Sequence, residues 1–399
     1  MQTDKNRVNR LIEYAMGLKN REDGRGLYLK YQDDIAQVTP QEAFEVFSSL
    51  LEKGVEASEI LVFLDKMINA FYKSLSAHRW EKPDDAVLLQ LLCRENEALE
   101  QKIENIKQML KDPGYFTDRK DELLQRLQEL QEFSGHYEKK ENILFPFLEK
   151  KDWKFAGLSI MWQLHSDIKA QLKKVISLLQ AGCDEEEFIM EYAKLVFAML
   201  GLVYKENLIL FPAASEVLTG EEWQEMLEQS LEYPFPYIEK PDLAPGRRPA
   251  ADRSAAVTTP EGLRLVTETG ELDTEQLLLI LNTLPVDITY VDENNKVRFF
   301  SRPKDRLFPR SPAVIGRSVE NCHPPESVHV VTEIVEAFRS GKQDRARFWL
   351  AVKGRKVLIQ YFALRNAEGQ YKGVLEVSQD IGEIQELTGE RRLLQWEND

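Results

Sequence analysis

The stretch of sequence that decides the fold of the first half of the chain reads HYEKKENILFPFLE over residues 136–149. Part of it returns later, because KENILFP at residues 140–146 reappears as KENLILFP at residues 205–212, with one residue added. A shorter echo, REN, stands at residues 94–96. Three segments therefore present an equivalent acid, and these acids are Glu95, Glu141 and Glu206.

Each of these acids has two interpretations. Most charged residues on helices are solvated or cap a helix end. Here, however, each acid lies next to an apolar run, with His136 close to Glu141 in sequence and His165 on the next predicted helix. A buried acid needs a partner, and His and Glu side chains that converge in a bundle core can hold iron, manganese or zinc. The pattern therefore indicates candidate metal ligands.

The residues around this repeat, from about 5 to 235, place apolar side chains at helical spacing. The segment Thr39-Pro40-Gln41-Glu42 offers an N-cap, a proline and an acid in the first turn, which predicts the start of a helix. The first ~75 residues read as a small helical unit. Four longer amphipathic segments are predicted at about 84–111, 118–149, 156–180 and 184–218. Their short connections predict an up-down four-helix bundle.

The sequence changes character after residue 238. Residues 239–262 have almost no large apolar side chains and are rich in Pro, Ala and Arg, which is typical of a linker. After a predicted helix at 273–283 the apolar period becomes two. Strands are predicted at 286–291, 297–300, 345–352, 356–364 and 371–378, with a turn at Asp292-Glu293-Asn294-Asn295 and a helix at 327–339. This pattern predicts an α+β domain with an antiparallel sheet of about five strands.

Composition excludes several classes of protein. With 43% hydrophobic and 30% charged residues, the chain is typical of globular multidomain proteins. A net charge of −15 repels phosphate backbones, so nucleic acid is not an expected partner. No apolar run is long enough to cross a bilayer and the N-terminus lacks a secretory signal, so no membrane partner is expected and a cytoplasmic location is predicted. Three widely spaced cysteines predict neither a disulfide framework nor a Cys-rich zinc site.

Residues 136–149, followed by Met161-Trp162-Gln163-Leu164-His165, resemble the hemerythrin-like (HHE) cation-binding family. The second half resembles a PAS domain in the motifs Asn282-Thr283-Leu284-Pro285, Gly316-Arg317, Asn321-Cys322-His323-Pro324-Pro325 and Leu375-Glu376-Val377-Ser378-Gln379-Asp380. The whole chain is similar to the branch of the family that carries an N-terminal domain of unknown function (number 438) and a C-terminal PAS domain.

The resemblance implies a multidomain fold. An all-α N-terminal half, made of a small helical unit and a hemerythrin-like four-helix bundle, precedes an α+β PAS domain with a five-stranded antiparallel sheet. The implied domains are the N-terminal helical domain at 1–80, the bundle at 81–238, the linker at 239–262 and the PAS domain at 263–399.

The chain departs from the family's pattern at several positions. The His pair that usually precedes the first Glu-Asn reads Val87 and Gln90, and the His-Asp-Glu of the third helix reads His165-Ser166-Asp167. The Cys and His that often end the N-terminal domain are replaced in Leu64-Asp65-Lys66-Met67. The ligand set that the resemblance leaves is His136, Glu141, His165 and Glu206, with Glu95 as the most dispensable member.

This reduced set implies one metal rather than two, either non-haem iron or another divalent metal. Reversible oxygen carriage at two irons is not expected, because hemerythrins that perform it use several more histidines. Two interpretations stay open. In one, a carboxylate-rich site binds a single metal; in the other, the bundle has lost its metal and kept the scaffold.

In the PAS domain, Cys322 and His323 are the candidate ligand or cofactor residues. A thiolate or an imidazole at these positions can hold haem iron, so haem is one candidate cofactor. In the alternative interpretation, Pro324 and Pro325 shape a rigid loop before the 327–339 helix, and Cys322 is a small buried hydrophobe. This alternative is the favoured interpretation.

The chain is not expected to be an enzyme, because it shows no Gly-rich phosphate loop, nucleophile elbow or kinase signature. The expected function is that of a cytoplasmic sensor. Its bundle senses oxygen, redox state, nitric oxide or iron and is coupled to the PAS domain. Two alternatives are a non-haem metal oxidase, peroxidase or nitric-oxide-handling enzyme, and a metal-free interaction scaffold. The expected partners are a second copy of the chain, through the PAS domain and the flanking segments 271–283 and 387–396, and an unknown downstream signalling protein.

Overall fold

The computed structural model describes residues 4–80, 82–112, 114–241, 264–267, 269–352 and 354–390. These residues form two compact units, a helical one built mainly on residues 4–241 and a mixed one built on residues 264–310 and 314–390. Nearly all of the predicted linker at 239–262 lies outside the described residues. The N-terminal helices and the bundle belong to one compact unit, so the boundary at residue 80 stays a prediction.

Four helices open the first unit. They are α1 (Lys5–Lys19), α2 (Gly24–Ile35), α3 (Pro40–Glu52) and α4 (Ala57–Ala77). The predicted start of α3 is confirmed, because Thr39 and Glu42 form a reciprocal capping box around Pro40. Asp4 and Asp23 are simple N-caps of α1 and α2, because each side chain accepts hydrogen bonds from two backbone N–H groups of the first turn.

The bundle follows, and all of its helices except the last correspond to the four predicted segments. They are α5 (Val87–Met109), α6 (Tyr115–Asp118), α7 (Lys120–Leu130), α8 (Ser134–Lys139), α9 (Phe145–Lys151), α10 (Leu158–Ala181), α11 (Glu185–Lys205), α12 (Phe211–Val217) and α13 (Gly220–Ser230). A short 3₁₀ turn at Gln131–Phe133 lies within the second predicted segment, and another at Trp153–Gly157 connects the second segment to the third. Helix α13 was not among the four predicted segments, although Thr219 and Glu222 form a capping box at its start.

Both copies of the repeat contain a π-helical turn, Lys140–Leu144 in the first and Glu206–Leu210 in the second. Pro146 and Pro212 follow these turns closely. Because proline has no N–H, it cannot donate to the carbonyl four residues earlier, and the wider turn forms before it. Single π turns occur frequently at functional sites, so the two turns indicate that this region of the bundle is a candidate functional site.

One described segment, Glu185–Val217, is long and apolar enough to cross a membrane by length and composition. It spans α11 and α12, and 61% of its most apolar window is buried inside the protein. Its hydrophobicity is therefore accounted for by the core of the bundle, where Leu195, Met199 and Leu202 are almost fully buried.

The second unit carries the five predicted strands and, before them, two further strands that were not predicted. They are β1 (Arg264–Thr267), β2 (Gly270–Asp273), β3 (Asp287–Asp292), β4 (Val297–Phe300), β5 (Arg345–Val352), β6 (Arg355–Arg365) and β7 (Tyr371–Asp380). The five-stranded sheet has the order β4-β3-β7-β6-β5 and every pairing in it is antiparallel, which confirms the predicted fold class. The strands β1 and β2 form a separate antiparallel pair.

The remaining helices of this unit are α14 (Thr274–Thr283), α15 (Pro325–Arg339) and α16 (Gly382–Glu386). The predicted turn between β3 and β4 is confirmed: Asn295 adopts a positive φ of 61°, and Asp292 accepts from the N–H groups of Asn294 and Lys296. The core under the sheet consists mainly of valines from the strands and α15, with Phe338 as its buried aromatic residue.

Candidate functional site

The candidate site is built on the helix that contains the first copy of the repeat. His136, Lys139 and Lys140 are spaced i, i+3 and i+4, so they lie on one face of α8 and the π-helical turn that continues it. Tyr137 and Glu141 are also four residues apart and lie on a second face. The two faces contact different helices and produce two neighbouring groups of polar side chains.

The first face joins α5 and the second copy of the repeat in what we call the lysine cluster. Its six side chains are each at most 1% exposed, and they are Glu95, Asn96, His136, Lys139, Lys140 and Glu206. Every one of them is polar, so the cluster is a charged core inside an otherwise apolar bundle. Burying such groups is unfavourable unless each finds a partner.

His136 bridges the two acids of the lysine cluster. Its Nδ1 lies 2.7 Å from Oε2 of Glu95, and its Nε2 lies 3.0 Å from Oε2 of Glu206. Carboxylate oxygens only accept hydrogen bonds, so both contacts are hydrogen bonds when both ring nitrogens carry protons. The ring stacks on Phe133 with centroids 4.6 Å apart, which fixes its plane.

Each acid of the cluster also has its own ammonium group. Lys139 Nζ lies 2.5 Å from Oε1 of Glu95, and Lys140 Nζ contacts Oε1 of Glu206. The second oxygen of Glu206 accepts a further hydrogen bond from Asn96 Nδ2 at 2.8 Å. The carboxylates are thus neutralised by protein side chains.

The electrostatics of Glu206 follow from this arrangement. Burial alone would raise the pKa of its carboxyl, but the charges of Lys140 and His136 outweigh burial and hold the pKa well below its usual range. Burial lowers the pKa of Lys139 and Lys140, whereas Glu95 and Glu206 act in the opposite direction. The ionised form of Glu206 is therefore the one that the cluster stabilises.

The second face holds what we call the His165 pair. His165 Nδ1 lies 2.7 Å from Oε1 of Glu141, and Lys169 Nζ lies 3.6 Å from the same oxygen. Burial, reinforced by the charge of Lys140, lowers the pKa of His165 well below its ordinary value, so the ring is neutral. It lies against Tyr137 with parallel planes and centroids 4.4 Å apart.

A neutral His165 that donates from Nδ1 to Glu141 leaves the lone pair of Nε2 free to accept. This Nε2 is buried and has no hydrogen-bond partner among the residues that the structure describes. A metal-ligating histidine commonly donates its other N–H to a carboxylate in this way. His165 is therefore the candidate ligand whose geometry best suits a metal.

The five ligands nominated from the sequence all lie in the core of the bundle, but they do not share one centre. Glu95, His136 and Glu206 belong to the lysine cluster, while Glu141 and His165 form the neighbouring pair. Within the described ranges, no three His, Cys, Asp or Glu side chains are arranged to hold one metal ion.

The arrangement therefore does not fit the metal that the family resemblance implies. Both nitrogens of His136 are engaged by carboxylates, and one oxygen of each carboxylate is occupied by an ammonium group. A dication at these oxygens would sit beside two positive charges in a medium that screens charge poorly. The orphaned Nε2 of His165 is the one feature that favours a metal.

Lys139 and Lys140 were not predicted as site residues, although both lie in the motif at residues 136–149. The available signal was charge balance: three acids were predicted to be buried, and a buried acid needs a counter-charge. Two adjacent lysines in the same turn were the nearest source of it. Asn96, in the short REN copy of the repeat, was likewise not predicted to have a role.

Of the PAS candidates Cys322 and His323, His323 lies beside a small cavity under the sheet. His323 lines this cavity together with Tyr361 and Glu376, and its volume is about 20 Å³. A space of that size holds about one water molecule, so it does not fit haem. Burial lowers the pKa of His323, and Cys322 Sγ donates to the carbonyl of Ser318 at 3.5 Å.

The comparisons with known families agree with this architecture. Residues 87–214 match the family described as the hemerythrin HHE cation binding domain, and residues 277–382 match the family described as the PAS domain. The first 80 residues lie outside both matches. A comparison with curated proteins finds no match.

Several solved structures are similar to parts of the chain. The C-terminal domain of a protein from Streptococcus mutans is 35% identical, covers 31% of this chain and 97% of its own, and has a TM-score of 0.30. A PAS domain from Colwellia psychrerythraea is 16% identical, with coverages of 27% and 97% and a TM-score of 0.23. The PAS domain of BvgS from Bordetella pertussis is 17% identical, with coverages of 28% and 88% and a TM-score of 0.24.

The helical first half, with its buried His and Glu side chains on a repeated motif, contains the first family match. The part with the five-stranded antiparallel sheet contains the second. The chain carries a hemerythrin HHE domain followed by a C-terminal PAS domain.

Proposed function

We propose that this chain is a cytoplasmic signalling protein in which the polar core of the hemerythrin domain responds to a signal and the PAS domain transmits it to a partner protein. The combination of a hemerythrin and a PAS domain fits a sensor. In this proposal residues 1–80 are the N-terminal domain of unknown function (number 438), and the chain has no catalytic activity of its own.

The observation that carries the proposal is the buried lysine cluster. Replacing buried ion pairs by well-packed apolar residues is often neutral or stabilising, so a bundle that served only as a spacer would not need one. Strongly perturbed titratable groups gather at functional sites more often than elsewhere. The depressed pKa values of Glu206 and His165 belong to this pattern.

Our first candidate is a bundle that works without a resident metal, because Lys139 and Lys140 already supply the cations. The second candidate is a metal-bound sensor that uses His136, Glu141, His165, Glu206 and Glu95 to hold non-haem iron or another divalent metal. The orphaned Nε2 of His165 favours this second candidate. In it, oxygen, redox state, nitric oxide or iron itself would be the signal.

The proposed coupling is tested by hydrogen exchange of the full chain. In the Glu206→Gln variant, amides of the PAS domain should exchange at altered rates, because the cluster then has a different charge arrangement. The matched control is Glu97→Gln, which removes an exposed acid from the same helix as Glu95. Unchanged exchange in the PAS domain of the Glu206 variant would count against a signalling role for the cluster.

The proposed homodimer is supported by the outer surface of the PAS unit. Helix α14 has no buried residue, and Leu278, Leu279 and Ile280 are 40–59% exposed. An isolated ten-residue helix is only marginally stable in water, so its apolar side chains are expected to be covered. The second flanking segment, 387–396, lies mostly outside the described residues.

We expect the full chain to be a dimer by light scattering at ~10 µM, a concentration above the dissociation constants common for such pairs. Leu279→Glu, which places a charge in the apolar stripe, should shift it to a monomer. The control Leu265→Glu changes an exposed leucine on β1 and should stay dimeric. A monomeric wild-type protein would remove homodimerisation from the proposal.

A further inference from the structure

The lysine cluster holds as many ammonium groups as carboxylates. Glu95 is matched by Lys139, and Glu206 is matched by Lys140. Outside the cluster, Glu141 has Lys169 within 3.6 Å. Each of the three acids that the repeat places in the bundle therefore has one lysine, and this correspondence leaves no net negative charge to attract a dication.

The two lysines are held in the core by more than their carboxylates. Lys139 Nζ also donates to the carbonyl of Pro234 at 2.6 Å and lies 4.2 Å from the ring centre of Phe235. Lys140 Nζ lies 5.0 Å from the ring centre of Tyr137. Hydrogen bonds and aromatic faces stabilise a buried ammonium, so these contacts define a position for each cation.

We propose that Lys139 and Lys140 are built-in cations that take the place of a metal ion in this hemerythrin bundle and exclude divalent metals from Glu95 and Glu206. This inference rests on the proposed function in its metal-free form. The lysines act by occupying the carboxylate oxygens that a metal would coordinate at about 2.0–2.2 Å.

The second copy of the repeat provides an internal comparison. Lys205 is the sequence equivalent of Lys140, but its Nζ lies 2.7 Å from Oδ1 of Asp65, a side chain that is 49% exposed. It does not contact the acids of the lysine cluster among the bonds that the described residues form. Lys205 is therefore the matched control for Lys140, because it has the same position in the repeat but a different partner.

The test is divalent-metal binding by the full chain carrying Lys139→Met and Lys140→Met. Without the ammonium groups, His136, Glu95 and Glu206 regain free ligand atoms and a negative charge. We expect titration calorimetry with zinc chloride to show at least about 100-fold tighter binding than wild type, or about tenfold for each lysine removed. Lys205→Met should bind no more zinc than wild type.

A triple variant tests whether the gained zinc binds in the lysine cluster. Adding Glu206→Gln to the two Met substitutions should abolish the gained zinc binding, because it removes a ligand from the cluster. If the double variant folds poorly, zinc should raise its melting temperature, and the single variants Lys139→Met and Lys140→Met should each show part of the gain. Zinc that neither binds to the double variant nor raises its melting temperature would overturn the inference.

The outcomes also separate this inference from the function on which it rests. If wild type is free of metal and the double variant gains none, the exclusion by lysine is wrong and the metal-free signalling proposal stands. If wild type retains a stoichiometric metal that depends on His136 and Glu206, both are wrong. Zinc gain that persists in the triple variant would place the metal elsewhere and overturn the inference alone.

Discussion

The two copies of the Lys-Glu-Asn repeat share their letters but not their environments. In the first copy, Lys140 is fully buried against Glu206, and Glu141 contacts His165. In the second, Lys205 contacts Asp65 towards the surface, and Glu206 lies in the centre of the lysine cluster. Neighbouring helices, rather than the motif, thus decide which lysine and which acid become part of the charged core.

The phase of the π-helical turns contributes to this difference. The turn begins at Lys140 in the first copy but at Glu206 in the second, where Lys205 is still the last residue of α11. Since a π turn contains one more residue than an α turn, side chains at its start change direction relative to the rest of the helix. A repeat can therefore place equivalent residues on different faces.

The largest effect should come from the two acids. Glu206→Gln removes the charge that pairs with Lys140 and His136, and we expect it to lower the free energy of unfolding by about 3–5 kcal/mol. Glu141→Gln should cost about 1–3 kcal/mol, because its partners are a neutral histidine and a partly exposed lysine. Urea denaturation followed by helical circular dichroism measures both, and equal losses would show that the copies are equivalent.

The two lysines should differ almost as much. Lys140→Met leaves Glu206 with an incomplete set of counter-charges, so we expect a loss of about 3 kcal/mol. Lys205→Met breaks a pair with an exposed acid and should cost less than about 1 kcal/mol. A loss for Lys205→Met as large as that for Lys140→Met would contradict the different positions of the two side chains.

A smaller effect should appear as a pH dependence in the first copy. The pKa of folded His165 lies well below its ordinary value of 6.5, so below pH 6.5 the unfolded chain binds a proton that the folded chain does not. The free energy of unfolding should therefore decrease as the pH is lowered below 6.5, by about 1.4 kcal/mol per pH unit from this group. The groups that face His165 are Glu141, Lys169, Tyr137 and Lys140.

The His165→Gln variant checks this slope, because it removes the titrating group and keeps a polar side chain. Its stability should change less between pH 6.5 and 5 than that of wild type. Below pH 4.5 both proteins should lose further stability, since the depressed pKa of Glu206 favours folding only while the unfolded carboxyl is ionised. Identical slopes above pH 5 in the two proteins would show that folded His165 takes up the proton as readily as unfolded His165 does.

Periodicity was sufficient to predict the order of elements. The four long helical segments, the capping box at Thr39 and the five strands of the sheet follow from local spacing and turn chemistry, which act over a few residues. The strands β1 and β2 were not predicted. The five candidate ligands are all buried, and polar residues that interrupt apolar runs are visible in the sequence, but their role as metal ligands stays a prediction.

The partners of those residues could not be predicted in the same way. The contacts of His136 with Glu95 and Glu206 span 41 and 70 residues along the chain, so they depend on how helices pack. The π-helical turns shift side chains by an amount that helical periodicity does not include. The role of Lys139 additionally depends on Pro234, which lies beyond the bundle helices in sequence.

The most direct measurement is the metal content of the full chain purified without chelators from cells grown with added iron, manganese and zinc. If the lysines supply the cations, the protein should contain well under one metal ion per chain, and EDTA should leave its melting temperature unchanged. The control is His78→Ala, because among the described residues the His78 ring contacts Glu216 on α12 and none of the candidate ligands. One or more metal ions per chain, lost in the His136→Ala, His165→Ala double variant but retained in this control, would contradict the metal-free bundle.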